Sequence, residues 1–188
     1  MDKCSNFALC LVVSEFVDEL MTATQLFGAM SPALAADILE YAFSADKELY
    51  RAALAAAAQA RKLRPVYLER QPHAQRHQLM ASALARPGLE MVATNLIASW
   101  LLKKHNDMLV DFLSALGVAH DKGAVEDLPK TIDDAVLHAA VDTLAAKYPR
   151  EIAALYLHAF HGLNDVCWPN LQALLHTDPR FQLKPEQL

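Results

Sequence analysis

Along this chain apolar side chains recur at three- and four-residue intervals, and prolines and glycines cut the pattern into blocks of helical length. That period belongs to the α-helix, which returns a side chain to the same face about every 3.6 residues. The first block, from about Asn6 to Phe27, stops at Gly28, a residue suited to a helix C-cap. Ser31-Pro32 reads as an N-cap followed by proline at the first helical position, opening a helix to about Phe43. Ser44 with Glu48 is one residue longer than the capping-box spacing; it starts an Ala-rich helix to Arg64, ahead of Pro65. Pro65 to Pro72 is expected to be extended or turning, before a helix over about His73 to Arg86 that Pro87-Gly88 breaks. Helices follow over Leu89 to Lys104 and Asp107 to Leu116, the second capped by Gly117. Val118 to Pro129 is the clear loop. Beyond it, Ile132, Val136, Ala140 and Leu144 predict the apolar face of a helix to Tyr148; further helices run from Pro149 to about Phe160 and from Pro169 to His176.

No run alternates as a half-buried strand would, and no hairpin turn joins two β-rich segments. The expected fold is all-α. About eight helices form a single domain over residues 1–177, as an orthogonal bundle or a short solenoid-like array, with an irregular tail at 178–188. The composition agrees: 33 Ala and 30 Leu make a third of the 188 residues, against only 5 Gly. Trp100 to Val118 also overlays Leu144 to Gly162 at a shift of 44 residues, within the range of two-helix repeats. Any two amphipathic helices of similar length align somewhere, and two copies do not make an array.

Charge changes the picture more than composition does. The net formal charge is −5, which excludes a uniformly basic nucleic-acid binder. It is also segregated along the chain. Residues 1–60 hold three cations and eight carboxylates, residues 61–104 eight and two, and residues 105–188 six and twelve. The basic block is densest at Arg61, Lys62, Arg64, Arg70 and Arg76, with Tyr67, His73 and His77 interleaved. Cations near an aromatic can hold phosphates or stack on bases, or can meet an acidic protein surface. Arg64 and Arg70 are expected to engage carboxylates, from the acidic flanks or from a second copy of the chain. A helix-turn-helix around Pro87-Gly88 fits poorly, because its recognition helix would be apolar nearly throughout.

Several chemistries are missing. The five glycines form neither G-x-G-x-x-G nor a phosphate-binding loop, and there is no G-x-S-x-G elbow, H-E-x-x-H or EF-hand. Cys4, Cys10 and Cys167 are odd in number and have no C-x-x-C spacing, which suits free thiols in a reducing compartment. The apolar run Phe7 to Val13 is too short for a signal or a membrane span. A cytoplasmic protein is expected, with no membrane association.

Three histidine groupings could carry chemistry. His73 and His77, four apart on a helix, have the spacing that grips a metal, with a third ligand from Glu69 or from elsewhere, though a solvated, partly protonated face is the expectation. Asp134, His138 and Asp142 on one helix, and Glu151, His158, His161 and Asp165 on the next, could converge as a metal-dependent enzyme centre. Both stripes lie opposite the apolar faces and are expected to look outward. Cys167 with His161 has the elements of a nucleophile pair, against the commoner pattern of a buried Cys packed beside Trp168. The sequence therefore points to a non-catalytic intracellular interaction protein. Its contact surface would be Arg61, Lys62, Arg64, Tyr67, Arg70, Arg76 and His77, its partner a protein or a second copy, and no metal or cofactor is expected. Nucleic-acid or anionic-ligand binding through the same block is the alternative.

Overall fold

Proline and glycine set most helix boundaries in the computed structural model, which describes residues 21–164 and 166–183. Ten helices lie among the described residues: α1 Ala23–Ala29, α2 Pro32–Ala45, α3 Lys47–Ala60, α4 Pro65–Glu69, α5 His73–Leu84, α6 Glu90–Lys104, α7 Asn106–Ala115, α8 Asp134–Lys147, α9 Arg150–Leu163 and α10 Pro169–Thr177. Their only β-type pairing is an isolated bridge between Asp121 and Ala124, in the long loop after α7. The fold is an all-α bundle. No helix among the described residues is long and apolar enough to cross a membrane.

Several boundaries differ from the sequence pattern for local reasons. Gly28 does not end α1; the helix runs through it to Ala29. This helix starts at a capping box, Thr22 with Gln25, and the expected stretch before it, with Cys4 and Cys10, lies outside the described residues. Ser44 belongs to α2 and donates to the Tyr41 carbonyl, while Asp46 caps α3 by accepting from the Leu49 amide. The segment after Pro65 is helical, because proline at the first position pre-sets the turn and buried Leu68 anchors it. In α8 the buried face is Leu137, Ala140, Val141 and Leu144, and Val136 is 38% exposed. A strict four-residue spacing drifts about 40° per step around a helix, so it cannot stay on one face.

The centre of the bundle is α6, which packs on α1, α2, α3, α5, α7 and α9. Its Ala93, Leu96, Ile97 and Trp100 are buried, but Met91 and Leu102 are exposed, so it is less completely enclosed than its composition suggests. One contiguous core runs from Ala23 to Phe181. Phe112, Tyr156, Phe160 and Trp168 form a chain of ring contacts at 5.2–5.7 Å, joining α7, α9 and the segment before α10. The start of the expected tail has no helix, yet it is packed: Phe181 is fully buried and its carbonyl lies 3.0 Å from His158 Nε2.

Two glutamates tie distant helices together. Glu90, at the start of α6, accepts from the Ala23 and Thr24 amides and the Thr24 hydroxyl. Glu151, in the first turn of α9, accepts from the amide and hydroxyl of Ser31, the N-cap of α2. Each carboxylate satisfies donors that a helix start leaves unpaired and sits at the positive end of the helix dipole.

Candidate functional site

The basic block folds as the end of α3, the whole of α4 and most of α5. Arg61 is the C-cap of α3, and Lys62 follows at φ 56°. The Lys62 amide donates to the Gln59 carbonyl and the Leu63 amide to that of Ala58, the paired bonds of a Schellman motif. Glycine usually holds this left-handed position, as Gly117 does after α7 at φ 70°. In α4, Leu68 points into the core, which leaves Val66 (46% exposed) and Tyr67 (50%) facing outward.

The cations of the block do not converge on one pocket. Arg61 reaches sideways to the Leu79 carbonyl and to the Ser82 hydroxyl at 2.6 Å. Arg76 lies over the rings of Phe43 and Tyr50 at 5.6 and 5.9 Å and donates to the Glu69 carbonyl at 3.1 Å. Lys62, Arg64 and Arg70 are exposed and, among the described residues, have neither an ion pair nor a side-chain hydrogen bond. The expected intramolecular carboxylates for Arg64 and Arg70 are therefore absent among those residues. Neutralisation of the basic block by the first acidic segment occurs elsewhere: Lys103 pairs with Asp46 at 3.2 Å and Lys104 with Asp37 at 2.6 Å.

His77 corrects the expectation of a solvated face. It is 3% exposed, with its Nε2 buried and unpartnered. The reason is its position on α5: His77, Met80 and Leu84 share the helix face turned to α2 and α3. Burial pushes its pKa down to about 4, and His73 and Arg76 nearby push the same way, so at neutral pH it is uncharged. His73, one turn earlier, is exposed and its ring lies 4.2 Å from that of His77. Its Nε2 is 3.4 Å from the carboxylate of Glu40 on α2. The Glu40, His73 and His77 ligand atoms lie within 4.8 Å of one another. Phe43 and Tyr50 pack against the two imidazoles at 5.1 and 5.8 Å. The spacing marks the histidine pair, but the third group is Glu40 and not Glu69; Glu40 comes from another helix and carries no local signal.

The C-terminal histidines and carboxylates do not assemble in this way. Glu151 caps α2, His158 lies against the Phe181 carbonyl, and Asp142 pairs with Arg180 at 2.8 Å. Asp134 accepts from Asn170, and Asp165 lies outside the described residues. His161 is buried rather than outward-facing, because α9 is enclosed on both sides. Burial lowers the pKa of both His158 and His161. Cys167 is exposed, not buried, with its Sγ 3.9 Å from His161 Nε2; in this extended segment Trp168 takes the inward position.

A separate cavity of about 800 Å³ opens between α6, α7, α9 and the long loop, with Leu101, Leu109, Leu113 and Phe160 among its apolar walls. No protein-family model, curated protein or solved structure matches this chain.

Proposed function

We propose that this chain is a non-catalytic interaction protein of a reducing, cytoplasmic compartment, and that its contact surface is the turn and short helix from Lys62 to Arg70. The partner is an acidic protein surface, on another protein or on the acidic segments of a second copy. One observation carries this reading: Lys62, Arg64 and Arg70 are exposed and unpaired among the described residues, around an outward Val66 and Tyr67. Aromatic and arginine side chains bordered by charge are the composition of interface anchors. Lys62 supports it further. A lysine in the left-handed region costs about 1 kcal/mol relative to glycine, and local strain of this kind clusters at functional positions. Arg61, Arg76 and His77 act as supports, through their contacts with Ser82, Phe43 and the core.

The test is a double charge reversal, Arg64→Glu with Arg70→Glu. Wild type and variant would be measured by sedimentation for self-association and titrated with a polyglutamate peptide, single-stranded RNA and duplex DNA at about 0.15 M salt. Self-association or peptide binding that the reversal abolishes, with the helical spectrum unchanged, is the expected result. Tight RNA or DNA binding lost in the same variant would assign the surface to nucleic acid instead. Association that ignores the reversal would remove this surface from the function altogether.

A further inference from the structure

We propose that Glu40, His73 and His77 form a binding site for a divalent transition cation of the zinc class, with one coordination position facing solvent. Two imidazoles and a carboxylate are a donor set that zinc takes readily, at bond lengths of about 2.0–2.2 Å. Tetrahedral ligands at that distance lie about 3.3–3.6 Å apart, and the contact from His73 Nε2 to the Glu40 carboxylate is 3.4 Å. All three donor atoms fall within 4.8 Å of one another, so a small rotation of side chains closes the remaining edges.

Geometry alone would also describe an exposed ion pair beside a chance histidine. His77 makes the difference. Its Nε2 is buried without a hydrogen-bond partner, and an unsatisfied buried polar atom costs about 1–3 kcal/mol. A cation bound through Nε2, at the centre of the three donors, would satisfy that atom. It would also account for the approach of two imidazole rings to 4.2 Å and for a carboxylate brought over from α2. The contacts of His73 with Phe43 and of His77 with Tyr50 confine the rings to small rotations of that kind, which pre-orients the donors. Glu40 and His73 are both exposed, and the open coordination position lies on their side.

Arg76 is the opposing charge. Its guanidinium is held over the Phe43 and Tyr50 rings, next to the site. Two neutral histidines, one carboxylate and a dication leave a net single positive charge, which Arg76 repels. The site should therefore bind more weakly than the same donors would without Arg76, and its open position should favour an anionic ligand.

The experiment is a zinc titration of the full chain after chelator treatment, by calorimetry and by competition with a chromogenic chelator, with cobalt as a spectroscopic stand-in. One equivalent per chain is expected, with the visible bands of nitrogen- and oxygen-ligated cobalt. Glu40→Gln and His73→Ala, both at exposed positions, should each weaken zinc by about tenfold or more, while circular dichroism shows the fold retained. Arg76→Gln should tighten it several-fold, a change that a site elsewhere in the molecule would not register. Absence of one-to-one binding at micromolar zinc would overturn the proposal. So would binding that persists undiminished in both ligand variants, or cobalt bands of thiolate ligation from Cys167.

Discussion

At the scale of single residues, Lys62 and the two capping glutamates make opposite predictions. Lys62→Gly removes the penalty of the left-handed backbone and should raise stability by about 1 kcal/mol, read as a shift in the urea midpoint. If the surface acts as proposed, the same change should weaken association, so stability and binding move in opposite directions. A loss of stability instead would mean that the lysine stem packs more than its exposure suggests. Glu90→Ala and Glu151→Ala each strip hydrogen bonds from the start of a distant helix, at Ala23 and Thr24 or at Ser31. Bonds to a charged acceptor contribute about 1.5–3 kcal/mol each, and the freed amides lie at partly buried helix ends. Each variant should therefore lose at least about 1.5–3 kcal/mol.

The elements themselves were legible wherever a boundary is made by its own residues. Ser31-Pro32, Gly117 and the Pro87-Gly88 break are local devices, and the chain stops or starts there as the sequence says. Ser44 and Asp46 are both good N-cap residues two positions apart, so residue type alone does not separate them. Asp46 has a second contact, with Lys103 of α6 at 3.2 Å, which no local pattern reveals. Asp46→Ala should cost about 0.5–2 kcal/mol and Ser44→Ala less than about 0.5 kcal/mol. Similar costs for both would put the boundary where the sequence pattern placed it. The α8 face offers a sharper contrast: Leu137→Ala should lose about 2–5 kcal/mol, and Val136→Ala far less. Two of the three candidate metal ligands are legible as an i, i+4 histidine pair; Glu40 is not, since no local rule joins residues 33 positions apart on separate helices. The 44-residue shift has a counterpart in the element boundaries. The starts of α6 and α8, Glu90 and Asp134, and of α7 and α9, Asn106 and Arg150, are both 44 apart. The environments differ, since α6 is central and α8 packs on α7 and α9.

For the molecule as a whole, the buried histidines set the response to acid. His77, His105, His158 and His161 all have pKa values lowered from 6.5, chiefly by burial. The unfolded chain therefore binds more protons than the folded one once pH drops below about 6.5. Stability is fully present above that pH and is lost as pH falls towards the lowered folded values. Each histidine can contribute at most about 1.4 kcal/mol per pH unit in that window. The urea midpoint should fall steadily between about pH 6.5 and 5, and His161→Phe should flatten part of the slope. A midpoint flat over that range would mean that these imidazoles accept protons without leaving the core.

The reach of the glutamate caps also bears on how the chain is made. Beyond its local cap, the start of α2 takes a carboxylate acceptor from Glu151, 120 residues further along, and the start of α1 takes one from Glu90, 67 and 66 residues beyond its partners. At about 5–20 residues per second, a ribosome that has delivered Ser31 needs roughly 6–24 s more to deliver Glu151. Throughout that interval the first turn of α2 lacks its carboxylate acceptor. Helices α1 and α2 therefore complete their caps late, and a nascent chain paused before α9 still has the Ser31 amide without its carboxylate partner.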